Sequence, residues 1–455
     1  MTTPVSQPAP SSRWLDRFAA GIAHLVPDPI TASVIMLIAL VIAALSLGNS
    51  GPQVMDAYYR SLWMLLPFTM QMTLIIVLSS ALASTPFFRG AVARLAEAPR
   101  NAYQFIGLAV LITGVAAYFY WGLGLALGPV IAVYFARAAE RKGIPIDFPL
   151  YLSTMGAANS LWQFGLSSSA PLLMATEGHF LQKTTGVIPL TRTIWSPAAI
   201  LHEVLFAVAL MVTACLLMPK KGGRQISEFP ESEKVADPVP APPAASASVS
   251  EWLEKRPYFN YILCAVLAVW LWTHFGIKKL SLDINSLNTT LLLASLILHA
   301  NFKSFTMALE RSIVSAWPVI VLYHLYAGLA GLIQHTNVGE TLAALAAQVT
   351  NPYTFPGLTA AISAVFSFFV PSSGGQWAIQ GFVIAKSAEA VGITVERGLL
   401  AMSVGDHIGN LLSPFWVVIL AGIARLDFRR FFGYGLIYAL LWFVIGVVVF
   451  TFAPC

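Results

Sequence analysis

Apolar residues run in blocks of about 20 along most of this chain, which is the length a helix needs to cross a hydrocarbon core of about 30 Å. The blocks predict membrane-crossing helices near 30–48, 61–83, 194–218, 258–275, 286–302, 316–333 and 431–453. Two further apolar regions, 103–176 and 354–424, are interrupted by Gly, Pro, Ser and Asn, one in each half. Each reads as a re-entrant helical hairpin followed by a broken helix: about 103–137 and 148–176, then about 354–390 and 397–424. Residues 1–29 are polar, carry Arg13 and Arg17, and lack a signal-peptide pattern, so they are expected to form a cytoplasmic segment ahead of a retained first helix. From 219 to 257 the chain turns basic, then acidic, then rich in Pro, Ala and Ser. That composition predicts a flexible cytoplasmic linker between a first membrane unit, 30–218, and a second, 258–455, which begins with an extra helix.

Composition agrees. The chain is 57% hydrophobic and 10% charged, with mean hydropathy +0.73. Soluble domains carry about 25% charged residues. Too little polar surface remains for a soluble enzyme, a nucleic-acid binder or a disordered chain, so an all-α polytopic membrane protein in contact with lipid is expected. Cys215, Cys264 and Cys455 form no disulfide framework and no metal spacing. Lys and Arg set the orientation. Placing the N-terminus, the linker and the loops near 84–102, 137–147, 303–315 and 425–430 in the cytoplasm gathers 19 of the 26 basic residues on that side. The C-terminus is then periplasmic.

A shift of 249 to 251 positions aligns the two halves. Arg60, Pro67 and Thr85 fall on Arg311, Pro318 and Thr336, and Asn101, Tyr103 and Gly107 fall on Asn351, Tyr353 and Gly357. The charge count turns one copy over, which predicts two inverted-topology repeats. Such repeats, with discontinuous helices at the midplane, belong to secondary transporters, and their sites lie at the repeat interface.

The interruptions carry the candidate chemistry. Pro371-Ser372-Ser373-Gly374-Gly375-Gln376-Trp377 breaks an apolar run, and such backbone survives at membrane depth only where protein or a water-filled cavity satisfies it. A hairpin tip there would aim free N–H groups at an anion. The second interruption runs from Gly405-Asp406-His407 to Asn410 and Ser413-Pro414. Its counterpart runs from Asn159 through Trp162 to Ser167-Ser168-Ser169. Unwound carbonyls with Ser and Asn oxygens can replace a cation's hydration shell; small residues that pack helices are the alternative. Asp406 and His407 are the leading buried ionisable candidates, because such groups in a span are costly. His202-Glu203 reads equally as an interhelical contact, and His324 as structural. Trp162, Trp377 and Trp416 suit an apolar pocket wall. No Walker-type loop, His-Glu-x-x-His or Gly-x-Ser-x-Gly occurs, so ATP-driven pumping and membrane proteolysis lack their equipment and no enzyme activity is expected.

The run from Trp162 to Leu181, Thr185-Gly-Val-Ile-Pro189, Val370 to Gly381, Gly405-Asp406, and Asn410 to Trp416 resemble the bacterial short-chain fatty acid transporter family of the ion-transporter superfamily. The resemblance implies uptake of short monocarboxylates such as acetoacetate or butyrate across the bacterial inner membrane. It also implies a homodimer working by an elevator motion. By position in those relatives, a cation would sit at Ser372, Ser373 and Gly374 with Asn410, and at Asn159 and Ser167–Ser169; Asp406 and His407, as buried ionisable groups, are the coupling candidates. Trp162, Ser167, Ser168, Ser169, Gly375, Gln376, Trp377 and Ser413 would meet the substrate. The first hairpin departs from the relatives, since Trp121-Gly122-Leu123-Gly124 offers no hydroxyl. No cofactor is expected beyond Na+ or H+ as coupling ion. A dicarboxylate carrier, a carboxylate exporter and a passive channel stay as alternatives, and no arginine in the broken patches speaks for a second substrate carboxylate.

Overall fold

The computed structural model describes residues 27–233, 248–299 and 301–454, which are helical with no strand among them. The expected N-terminal segment up to residue 26 and the linker core 234–247 lie outside the described residues. Among the described residues, eight helices are long and apolar enough to cross a membrane, or nine when the bent pair Val395–Leu412 and Trp416–Ala424 counts as one span. Polar residues at the block edges start the helices. Asp28, Ser50, Asn101, Asp147 and Ser196 accept first-turn N–H groups in the first half, and Asn301, Thr336, Ser372 and Thr394 do so in the second.

The first half runs Pro29–Ser46, Gly51–Ser61, Leu66–Ala83, Pro86–Ala96, Ala102–Phe119, Trp121–Arg141, Phe148–Ala158, Ser169–Ala175 and Pro197–Leu217. After an added helix, Pro257–Leu271, the second runs Ile284–His299, Phe302–Ser312, Trp317–His335, Asn337–Val349, Phe355–Ser367, Ser373–Ala390, Val395–Leu412, Pro414–Ala424 and Phe432–Phe452. The halves interlock reciprocally. Pro29–Ser46 and Gly51–Ser61 pack on Trp317–His335, while Ile284–His299 and Phe302–Ser312 pack on Leu66–Ala83. Gly328 and Gly331 permit the first contact, because a Cβ there would lie 2.3 Å from the Tyr58 ring and 2.4 Å from the Ser61 side chain. In the second contact Ser295 and Asn288 donate to the Leu78 and Gln71 carbonyls at 2.9 and 3.0 Å.

Each half contains a helical hairpin. In the first, the chain turns at Tyr120 and the arms run antiparallel, with Gly124 against Ala117 and Gly128 against Thr113. In the second, the Gln376 amide donates to the Ser363 carbonyl at 3.0 Å and the Ser363 hydroxyl to Gln380 at 3.0 Å. The first hairpin's arms hold 18 and 21 residues and the second's 13 and 18. An antiparallel hairpin returns its ends to one side whatever the depth of its tip.

Two expectations are corrected. The stretch Gly405–Asn410, expected to unwind, lies inside the continuous helix Val395–Leu412, and the break falls at Ser413. Its glycines serve close packing: a Cβ at Gly405 would lie 2.1 Å from the Ala360 carbonyl oxygen, and one at Gly409 2.1 Å from the Ser367 hydroxyl. Gly405→Val is therefore expected to cost about 1–3 kcal/mol or more through overpacking. An unchanged thermal midpoint of the detergent-solubilised variant would contradict this. The linker, expected to be flexible throughout, is docked over its first part. Arg224 grips the Asp147 carboxylate with two bonds of 2.7 and 2.8 Å, Ile226 and Phe229 are buried, and Phe229 packs on Phe148.

Candidate substrate and cation site

Pro371 cannot donate a backbone hydrogen bond, so the helix of the second hairpin's returning arm restarts after it. Ser372 caps the restart: its hydroxyl accepts from the Gly375 N–H at 3.3 Å and its carbonyl from Gln376 at 2.7 Å. The serine run of the first broken helix holds both hairpin tips. Ser167 accepts the Trp121 N–H at 2.9 Å, at the first tip, and Ser169 accepts the Gly374 N–H at 3.0 Å, at the second. Trp416, just past the second helix break, donates its indole N–H to the Pro371 carbonyl at 3.3 Å. All four interruptions therefore meet in one place.

They enclose a cavity of about 250 Å³. Its apolar lining includes Met72, Ile76, Leu125, Leu322 and Ile419. Its polar lining consists of Ser79, Ser169, Ser372, Ser373, Tyr323, Tyr326 and Asn410, and among the described residues no Lys, Arg, Asp or Glu lines the space. The Tyr323 and Ser372 hydroxyls lie 2.8 Å apart. Trp121, Trp162 and Trp416 separate this cavity from a smaller one of about 80 Å³ that reaches Asn159 and His407. Trp121 stands 6.3 Å from Trp162 and edge-on to Trp416 at 5.7 Å, ring centre to ring centre.

Behind the Asn410 wall lies a cluster of oxygens. Asp406 is fully buried, and its Oδ2 accepts from Gln163 and Asn410, each at 3.1 Å. Gln163 also reaches the Ser403 carbonyl at 3.0 Å and Ser373 Oγ at 3.5 Å. Asp406 Oδ1 is buried with no hydrogen-bond partner, as are the side-chain oxygens of its two donors, Gln163 and Asn410, and that of Asn159 against Gly124 on the smaller cavity. Buried acceptors are normally satisfied, so such a set is suited to a small oxygen-seeking cation. Among the described residues no group of three or more His, Cys, Asp and Glu could hold a transition metal.

Residues 12–453 match the family described as "Short chain fatty acid transporter". The chain belongs to the short-chain fatty acid transporter family. Two relatives are named "Putative short-chain fatty acid transporter". The one from Escherichia coli is 30% identical over 449 residues, covering 96% of this chain and 99% of the relative. The one from Haemophilus influenzae is 28% identical over 453 residues, covering 96% and 98%. The fold is similar to the crystal structure of the Alcanivorax borkumensis YdaH transporter, with a TM-score of 0.59 at 15% identity over 93% of this chain and 98% of that one. The chain is thus a multi-span membrane protein of a transporter family.

In this family member the expected site residues divide. Trp162, Ser169, Ser372, Ser373 and Asn410 line the larger cavity, and Asn159 and His407 the smaller. Ser167 and Ser168 are buried beside the tips; Ser168 donates to the Gln163 carbonyl at 2.5 Å, so its hydroxyl serves the broken helix. Gly374 and Gly375 face aromatic rings, since a Cβ on either would strike Phe68 at 2.6 Å or Tyr326 at 2.7 Å. Gln376 and Trp377 are fully buried outside both cavity linings, and Gln376 is held inside the hairpin by its bond to the Ser363 carbonyl. Ser413 marks the break, its N–H donating to Gly409 at 2.5 Å. The sequence reading missed Gln163, Tyr323, Tyr326 and Ser79. Tyr323 and Tyr326 stand three apart on one helix face, which was the available signal. Removing the Ser169 hydroxyl leaves the Gly374 N–H unpaired. Ser169→Ala is therefore expected to cost about 1–3 kcal/mol and to speed amide exchange at the second tip; unchanged exchange there would refute the tether.

Proposed function

We propose that this chain is a secondary active importer of short monocarboxylates, of the acetoacetate and butyrate class, driven by sodium. The observation that carries the reading is the cavity of about 250 Å³, lined by apolar side chains and neutral hydroxyl and amide groups, beside the buried, half-paired carboxylate of Asp406. A carboxylate would meet the hydroxyls and the restarting helix at Ser373, and a two- to four-carbon tail would lie against Leu125, Leu322 and Ile419. With no Arg or Lys on the walls, a second carboxylate would have no counter-charge, which disfavours dicarboxylates.

We further read the halves as inverted repeats, supported by the matched order of helices and the reciprocal packing. The hairpins and broken helices would carry the site as one body in an elevator motion within a homodimer. The N-terminus would be cytoplasmic and the C-terminus periplasmic in the inner membrane. A thermal-shift panel of C2 to C6 monocarboxylates and their dicarboxylate counterparts, with sodium or potassium, tests the substrate class. The expected result is stabilisation by three- and four-carbon monoacids that requires sodium. Counterflow in proteoliposomes separates a carrier from a channel, since a channel cannot accumulate label against its gradient by exchange. Sodium-independent stabilisation would remove sodium from the reading, and absence of counterflow would overturn the carrier.

A further inference from the structure

The proposed cycle leaves one pair of buried ionisable groups unused. Helix Pro197–Leu217 presents exposed apolar residues such as Ile200, Val204 and Val208 on one face, and turns His202 and Glu203 inward on the other. Both ring nitrogens of His202 and both carboxylate oxygens of Glu203 are buried without a well-formed hydrogen bond, with only the Trp442 and Phe164 backbones near enough to approach one. His202 is caged by aromatic rings, with Phe164 at 5.1 Å, Phe450 at 5.7 Å and Trp442 at 4.3 Å. The Trp442 indole, fixed by its bond to the Val404 carbonyl at 3.1 Å, contacts His407 at 4.7 Å, and His407 borders the smaller cavity. His407 too has both nitrogens unpartnered. A row of unpaired titratable groups thus leads from the outer helix to the site, through one shared indole.

A buried carboxylate with no cationic partner is costly, and intramembrane ionisable groups persist where they carry something. Of the helices packed on Pro197–Leu217, Ala102–Phe119 turns Tyr118 toward Glu203, and Phe432–Phe452 turns Trp442 and Phe450 toward His202. Tyr438, also on Phe432–Phe452, is bonded to Thr154 at 2.8 Å. Tyr151, from Phe148–Ala158, is bonded to the Phe105 carbonyl at 2.7 Å. No cation balances Glu203 among the described residues. With no metal-type cluster there, the species that suits a carboxyl and an imidazole is a proton.

We propose that Glu203, with His202, is a proton-binding site separate from the Asp406 cluster, and that it links transport to the proton gradient. A proton from water adds to a Glu203 carboxylate oxygen, giving a neutral carboxyl that can stay buried. It leaves to water when the carrier exposes that helix face. Until then the proton stays on Glu203, and the packed rings of His202, Trp442 and His407 lie between it and the smaller cavity. Proton-linked transport rests on the carrier reading above; protonation of Glu203 does not.

The test uses the full chain in proteoliposomes. Infrared difference spectra between acidic and alkaline buffer are expected to show a protonated-carboxyl band that Glu203→Gln removes and Glu203→Asp shifts. In the same vesicles, acetoacetate uptake with a lumenal pH dye is expected to show protein-dependent proton movement. Glu203→Gln should lower that movement at least tenfold while keeping acetoacetate exchange within twofold of wild type. A band that survives Glu203→Gln, or proton movement unchanged in that variant, would overturn the proposal. If the wild type exchanges no acetoacetate, the carrier reading fails instead, and the infrared result still decides the proton site.

Discussion

Asp406→Asn is expected to abolish sodium-driven uptake while leaving the protein folded. If Asp406 balances a bound sodium ion, its neutralisation leaves that charge buried and unpaired, at about 3–5 kcal/mol. That corresponds to a loss of sodium affinity of about a hundredfold to a thousandfold or more. The fold should tolerate the change for a geometric reason. The introduced amide keeps one carbonyl oxygen to accept from Gln163 and Asn410, as Oδ2 does at 3.1 Å. Its nitrogen takes the place of Oδ1, which has no partner to lose. The variant should therefore unfold at or above the wild-type temperature without sodium, and gain nothing when sodium is added. Wild-type uptake with an intact sodium dependence would show that Asp406 only braces the helix. A collapse of the thermal midpoint would show that its charge supports the fold.

The sequence made the membrane class legible because hydrophobic block length is set by bilayer thickness. It made the hairpin tip legible because Pro371 and the adjacent glycines break any helix. It misplaced the second break because glycine in a helix has two meanings that one sequence does not separate. At Gly405 and Gly409 the missing side chains admit the neighbouring arm Phe355–Ser367, and the helix continues; only Ser413-Pro414 interrupts it. The serine run Ser167–Ser169 was legible as polar but not in its role, since its partners at Trp121 and Gly374 are 46 and 205 residues away. Gln376 and Trp377 sat in the right motif on the wrong side of the helix. Tyr323 and Tyr326 lie in a mostly apolar helix, so the approach of Tyr323 to Ser372 and of both to the cavity comes only from the packing of the two halves.

Ser372, Ser373 and Asn410 line one cavity although they come from a hairpin tip and the end of the next helix. Alanine at any one is expected to weaken ligand binding by about 1–3 kcal/mol, since a buried partner loses its bond. The three should nevertheless differ. Ser372→Ala also removes the cap on Gly375 and the contact with Tyr323, so it should weaken acid binding and loosen the tip together. Ser373 and Asn410 reach the buried carboxylate from two sides: Asn410 bonds Asp406 directly, and Ser373 touches Gln163, which bonds it. Their effects should fall on sodium affinity, and the double variant should lose less than the sum of the singles, because groups in one network are coupled. Isothermal titration of sodium at saturating acid, and of acid at saturating sodium, separates the cases. Strictly additive losses for Ser373→Ala and Asn410→Ala, or equal losses of acid and sodium affinity in all three variants, would mean that the cavity binds both ligands without an internal cation position at Asp406.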